Sequence, residues 1–271
     1  MERKEQIRNA VREHYRLIAE KNQENVGCCS QNAPAAGSNC CSGGKPATFE
    51  DISLSLGYKV TDFEQMPQGA NMGLGCGNPQ AIASLKEGET VLDLGSGGGF
   101  DVFLAARQVG ETGKVIGVDM TPTMVSLARE NAEKGNFTQV EFRLGEIEHL
   151  PVADQTVDVI ISNCVINLSP EKQKVFNEAF RVLKTGGRLA ISDTVAVTAI
   201  PEHLLADMEL YSACVSGAST VDEMKNILET AGFSDIRIEP RDESRSFIKN
   251  WSSGGTLADY VLSATIEAVK K

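Results

Sequence analysis

The stretch Val91-Leu92-Asp93-Leu94-Gly95-Ser96-Gly97-Gly98-Gly99-Phe100-Asp101 decides the fold. It reads as strand, glycine turn and helix start. Val91, Leu92 and Leu94 form a short apolar run suited to a buried strand. The glycines provide a tight turn and let a ligand press against the backbone. A second apolar run, Val115-Ile116-Gly117-Val118, ends at Asp119, an acid placed to hold ribose hydroxyls. Together these signals predict a site for an adenosine-bearing cofactor.

Working outward, strands are expected over 90–94, 114–118, 139–144, 157–162 and 187–193. Helices are expected over 98–109, 122–134 and 171–183, the last opened by Ser169-Pro170 and closed by Gly186-Gly187. Such alternation implies a parallel sheet with helices on both faces. Two further helical patterns lie near 202–213 and 220–231, the second opened by a capping box of Thr220 and Glu223. Residues 235–241 and 257–269 can complete the sheet. Upstream, Ile7, Ala10, Val11, Leu17 and Ile18 recur at helical spacing between Glu2 and Glu24. Asn78-Pro79 reads as a helix N-cap and first position. The expected organisation is therefore 1–47 (helix and cysteine-rich loop), 48–195 (cofactor-binding core) and 196–271 (completing the sheet and the substrate site).

The chain has 271 residues and a formal net charge of −11, which disfavours nucleic acid and anionic membranes as partners. No apolar segment follows the charged Met1-Glu2-Arg3-Lys4-Glu5, so no signal peptide is expected. No apolar run approaches the ~20 residues of a membrane span. The expected location is the cytoplasm, where seven cysteines read as ligands or redox groups rather than structural disulfides. His14, His149 and His203 are scattered and give no zinc signal.

The spacing D-x-G-x-G-x-G, built by Asp93, Gly95, Gly97 and Gly99, resembles class I S-adenosylmethionine-dependent methyltransferases rather than nicotinamide enzymes. An acid before the turn suits a cationic methionine moiety. The implied fold is α/β, a Rossmann-like sheet with helices on both faces and an antiparallel last strand. In an open α/β sheet the ligand sits beyond the carboxyl ends of the strands. The expected cofactor residues are Asp93, Gly95, Ser96, Gly97, Asp119 and Met120, with Glu146 and Ile147 for adenine and Asn163 for the methionine end. Cys164 follows the fourth strand directly. Cys76 in Gly75-Cys76-Gly77 and Cys214 in Ala213-Cys214-Val215-Ser216-Gly217 sit in similar glycine-flanked settings. Each alone is a small buried hydrophobe as readily as a ligand. Three thiols with one at the methyl-donor site suggest a soft, thiophilic substrate, and the C-x-x-C spacing of zinc sites is absent.

The run Ser162-Asn163-Cys164-Val165-Ile166-Asn167-Leu168 resembles the arsenite methyltransferase family. Gly75-Cys76-Gly77, Gly117-Val118-Asp119-Met120-Thr121 and Tyr211-Ser212-Ala213-Cys214-Val215-Ser216-Gly217 follow that family in the same order. The chain departs from many animal and algal members in carrying Leu74 where they have an aromatic. The resemblance implies S-adenosylmethionine-dependent methylation of trivalent arsenic, with arsenite and methylated arsenicals as substrates, serving arsenic detoxification. It makes Cys164 and Cys214 the main arsenic-binding pair and Cys76 the third ligand. It also implies a thiol reductant, thioredoxin or glutathione, that resets a disulfide. Cys28, Cys29, Cys40 and Cys41 are candidate delivery or redox thiols, or an ordinary exposed tail. Two other readings stay open: a methyltransferase for another small molecule with incidental cysteines, and a non-catalytic metalloid-binding protein.

Overall fold

The computed structural model describes residues 2–27, 48–64, 66–205, 207–251 and 256–271. Cys28, Cys29, Cys40 and Cys41 lie outside the described residues. The strands are β1 (Thr90–Leu94), β2 (Lys114–Asp119), β3 (Val140–Leu144), β4 (Val157–Asn163), β5 (Leu183–Ala196), β6 (Ser219–Thr220), β7 (Ser234–Pro240) and β8 (Val261–Val269). They form one sheet in the order β3-β2-β1-β4-β5-β8-β7, with β6 beside β5. Strands β1 to β5 are mutually parallel. β8 enters antiparallel between β5 and β7, as the sequence reading expects.

The helices are α1 (Glu2–Gly27), α2 (Phe49–Ser55), α3 (Val60–Phe63), α4 (Gln80–Ala83), α5 (Phe100–Val109), α6 (Pro122–Lys134), α7 (Lys172–Val182), α8 (Glu202–Leu205), α9 (Met208–Ser212), α10 (Val221–Ala231) and α11 (Arg245–Ile248). Alternate strand residues face opposite layers, as the pleat requires. Leu92, Leu94 and Ile160 pack with Phe176 and Val182 of α7. Their neighbours Val91, Val159 and Ile161 pack with Val102, Phe103 and Ala106 of α5. Burial on both faces explains why the central strands read as continuous Val/Ile/Leu runs.

Some element ends differ from expectation. Gly186 and Gly187 do not close a helix; α7 stops at Val182 and β5 begins at once. The two glycines instead form an irregularity where the pairing to β4 shifts between Val157 and Val159. Main-chain bonds from Gly186 N to Lys270 O and from Lys270 N to Gly187 O draw this stretch to the end of the chain. The 202–213 pattern is two short helices, because Asp207 caps α9 by accepting the N–H groups of Glu209 and Leu210. Pro79, not Asn78, is the cap of α4. The Thr220–Glu223 capping box is present.

Candidate active site

The carboxyl ends of β1, β2 and β4 open into a cleft of ≈ 410 Å³. Of the expected cofactor residues, Asp93, Gly95, Ser96, Gly97, Asp119, Met120, Ile147 and Asn163 line it, and Glu146 does not. Gly95 has φ +71°, and a Cβ there would lie 2.4 Å from Val165 Cγ2, so only glycine passes this point. Its N–H and that of Ser96 donate to Val118 O, fastening the turn to β2. The Asp119 carboxylate accepts Gly97 N at 3.0 Å through Oδ2 and Thr121 N at 2.8 Å through Oδ1. Each oxygen retains acceptor capacity for a ribose hydroxyl.

Three carboxyls face this space, Asp93 buried and Asp101 and Asp119 half-buried. Burial pushes Asp101 up to about 6, against the hydrogen bonds it receives from Tyr58 and Gln80. Burial, reinforced by the charges of Asp101 and Asp119, holds Asp93 well above the ordinary carboxylate range. Asp119 is also raised by burial, opposed by its Thr121 and Gly97 donors. A cationic ligand relieves all three. Ser96 Oγ and Asn71 Nδ2 are buried in the same walls without a partner. The chemistry fits S-adenosylmethionine, whose sulfonium and ammonium meet carboxylates and whose carboxylate and hydroxyls meet the free polar atoms.

Helix α1 roofs the cleft through Val11, His14 and Tyr15. Arg8 reaches from it to Glu148 at 3.4 Å and to Glu171, while Arg12 pairs with Glu146 at 3.1 Å. α1 draws Glu146 away, and the buried Glu148 faces the cleft, receiving Ser169 Oγ at 2.6 Å. The competing arginines lie more than 130 residues away in sequence, beyond what a local turn pattern reveals.

All three expected cysteines are buried and pack in one cluster with Val11, Leu168 and Tyr211. Cys76 Sγ, Cys164 Sγ and an Asp193 carboxylate oxygen lie within 4.8 Å of one another. Cys214 Sγ donates to Cys164 O at 2.7 Å. Separate elements pin each main chain. Asn163 Oδ1 holds Cys76 N, Ser263 Oγ holds Cys76 O, Ser192 O holds Cys164 N, and Thr194 Oγ1 holds Cys214 O. Cys164 and Cys214 both adopt left-handed backbone, with φ +59° and +61°. Such conformations are uncommon for non-glycine residues and cluster at functional sites.

Hydrogen bonds shared with Cys214 and Cys76, together with burial, raise the Cys164 thiol well above its ordinary value. Contact with Cys164 favours the Cys214 thiolate, but burial and the Asp193 charge push Cys214 up to about 11. Burial raises Cys76. The site therefore rests as thiols, and binding a thiophilic centre must expel protons.

Asp193, Asp101, Tyr58 and Glu148 were not singled out from sequence. Asp193 carried a usable signal: an acid inside the apolar strand run Leu189-Ala190-Ile191-Ser192-Asp193 is seldom buried without a task. Tyr58 carried none.

A methyltransferase-domain family profile matches residues 85–232. The arsenite methyltransferase of Halobacterium salinarum is 52% identical over 266 residues, 98% of this chain and 67% of that protein. The chain belongs to the arsenite methyltransferase family. The family's human arsenite methyltransferase is 39% identical over 173 residues, 60% of this chain and 46% of its own length. The chain thus spans about two thirds of one curated relative and about half of the other. An arsenic(III) S-adenosylmethionine methyltransferase from Chlamydomonas reinhardtii superposes with TM-score 0.61 at 30% identity, covering 84% of this chain and 75% of that one. Class I methyltransferase architecture and family membership thus agree with the cleft chemistry. Among the described residues, no helix is long and apolar enough to cross a membrane.

Proposed function

We propose that the chain methylates trivalent arsenic, with S-adenosylmethionine as donor and Cys76, Cys164 and Cys214 as the arsenic ligands. The observation that carries this reading is three buried thiols gathered at the wall of an acidic cofactor cleft. Asp93, Ser96, Gly97, Asp119, Met120 and Ile147 hold the cofactor. Bound there, S-adenosylmethionine supplies an electrophilic methyl group.

The protein's part is positioning and exclusion of water. Cys164 lines the cleft with Cys214, and Cys76 packs in the same cluster beside Cys164. An arsenic centre held by these sulfurs faces the cofactor. Its lone pair carries no proton, which suits a site whose working groups are thiols rather than a histidine base. Methylation oxidises arsenic by two electrons. Two of the cysteine thiolates can return those electrons by forming a disulfide, leaving a trivalent methylated product. A dithiol or glutathione-class reductant then restores the thiols, as a reducing cytoplasm allows. Cys28, Cys29, Cys40 and Cys41 suit delivery of arsenic or relay of electrons.

Incubation with arsenite, thiol and S-adenosylmethionine, followed by arsenic speciation, tests the reading. Methylated arsenicals are expected. Cofactor and arsenite binding without product would leave a metalloid-binding protein, and cofactor binding without arsenite binding would leave a methyltransferase for another substrate.

A further inference from the structure

Asp193 stands against two of the three thiols, and a trivalent arsenic centre with three sulfur ligands has no use for a carboxylate. The carboxylate is fully buried at the end of β5. Its Oδ1 accepts Asn167 Nδ2 at 2.8 Å and Thr194 N at 2.7 Å, while Oδ2 accepts only Ile166 N, at 2.8 Å. Oδ2 thus keeps a lone pair in a carboxylate whose orientation is fixed by three donors. Among the described residues, Cys76, Cys164 and Asp193 form the one group of three side chains placed to hold a metal ion.

We propose that Cys76, Cys164 and Asp193 form a binding site for a thiophilic divalent cation of the zinc and cadmium class. The cation shares two ligands with the arsenic site and uses Asp193 in place of Cys214. In a tetrahedral zinc site the bond lengths put donors about 3.6–3.8 Å apart. The three donor atoms here already lie within 4.8 Å, so closing around an ion needs movement on the order of 1 Å. Binding releases the two thiol protons to solvent and leaves two thiolates and a carboxylate around a 2+ ion. Lys172, whose charge acts on Asp193 and which donates to Gly217 O at 2.6 Å, offsets the remaining negative charge. The hydrogen bonds to Asp193 are of the kind that orient a metal-binding carboxylate. A fourth position remains for water. Because Cys76 and Cys164 are common to both, the cation and arsenite exclude one another.

The inference does not rest on arsenic being the substrate, and cation binding is read directly. The test uses the full chain with Cys28, Cys29, Cys40 and Cys41 replaced by serine, reduced and free of metal. It is titrated with cadmium alone, following the thiolate-to-cadmium charge-transfer band and heat. One cadmium per chain is expected, with band intensity for two thiolates. Asp193→Asn should weaken cadmium binding by about tenfold or more and leave arsenite binding, read by Trp251 fluorescence, near the parent's. Cys214→Ser should do the reverse, sparing cadmium and weakening arsenite. Absence of stoichiometric cadmium uptake overturns the proposal, as does an Asp193→Asn protein that binds cadmium like its parent. If Asp193→Asn fails to fold, Cys214→Ser decides alone: loss of cadmium binding there marks a three-thiolate site and overturns the role of Asp193. Loss of arsenite binding in the parent would defeat the proposed function while leaving the cadmium result standing.

Discussion

The side-chain carbonyl of Asn163 accepts the backbone N–H of Cys76 at 3.0 Å, across 87 residues of sequence. The same amide donates to Gly77 O at 2.8 Å and to Tyr58 Oη at 3.0 Å. Tyr58 donates in turn to Asp101. One side chain thus joins the cofactor cleft to the loop that carries a sulfur ligand. Gly75 is required beside it, because a Cβ at that position would lie 2.6 Å from Asn163 Nδ2 on a backbone with φ +122°.

Replacing Asn163 by alanine should therefore loosen the Cys76 loop. It strands a buried N–H and a buried carbonyl, each costing about 1–3 kcal/mol. Arsenite affinity should fall on the order of tenfold or more, since 1.4 kcal/mol is one decade. Trp251 lines the cleft and is the only tryptophan in the chain, so its emission follows the titration. An arsenite affinity equal to that of the parent would show that Asn163 does not hold the loop.

Asp119→Ala should weaken S-adenosylmethionine by about 2–4 kcal/mol, the worth of two hydrogen bonds to a charged acceptor after compensation. The change also frees Gly97 N and Thr121 N, so the upper half of that range is expected. Arsenite binding should stay close to the parent's, because Asp119 makes no hydrogen bond to any of the three cysteines. Calorimetry with each ligand separates the two effects; an unchanged cofactor affinity removes Asp119 from the site.

How far the sequence reached depends on the range of each interaction. Strand runs, the Gly95 turn, Asp119 and the Thr220 capping box are set by residues a few positions apart, and these were legible. The three cysteines could be named because each sits beside a strand end or a glycine-shaped loop. Their convergence rests on tertiary bonds such as Ser263 to Cys76 and Thr194 to Cys214, which no spacing shows. That Glu148 lines the cleft while Glu146 pairs with Arg12 is hidden for the same reason, since the α1 arginines that pair with them lie far away in sequence. The glycines at 186 and 187 misled because their partner is Lys270, far along the chain.

Serine in place of Cys164 or Cys214 should abolish methylation of arsenite, because a hydroxyl is a hard ligand and holds trivalent arsenic poorly. The folds should survive, since serine fits a cysteine site and the left-handed backbone at both positions is unchanged by the substitution. Cys76→Ser should impair arsenite but spare a monomethylated arsenical, which has only two exchangeable positions. Product speciation for the two substrates reads this directly. Full activity of Cys164→Ser toward arsenite is incompatible with thiolate-bound arsenic.

The carboxyl group of Asp101, pushed up to about 6 by burial, gives the cofactor site a pH dependence. A raised value means that the carboxyl takes up its proton at a higher pH than a free aspartate, for which the value is ~3.9. The anion that meets a cationic cofactor is therefore present above about 6 and is lost as the pH falls through it. Burial and the charges of Asp101 and Asp119 also raise Asp93, so both groups favour the protonated form on the acid side. S-adenosylmethionine affinity should be full at about pH 7.5 and fall by up to about tenfold per unit below the midpoint. For the empty protein the sign is opposite. The raised carboxyl contributes stability below ~4 that is lost as the pH rises through about 6. The gain in melting temperature on adding cofactor should therefore be larger at about pH 7.5 than at about pH 5. Asp101→Asn should bind weakly throughout and show a flatter profile. A parent protein whose cofactor affinity is level from about pH 7.5 to 5 would mean that these carboxyls do not meet the cofactor's charge.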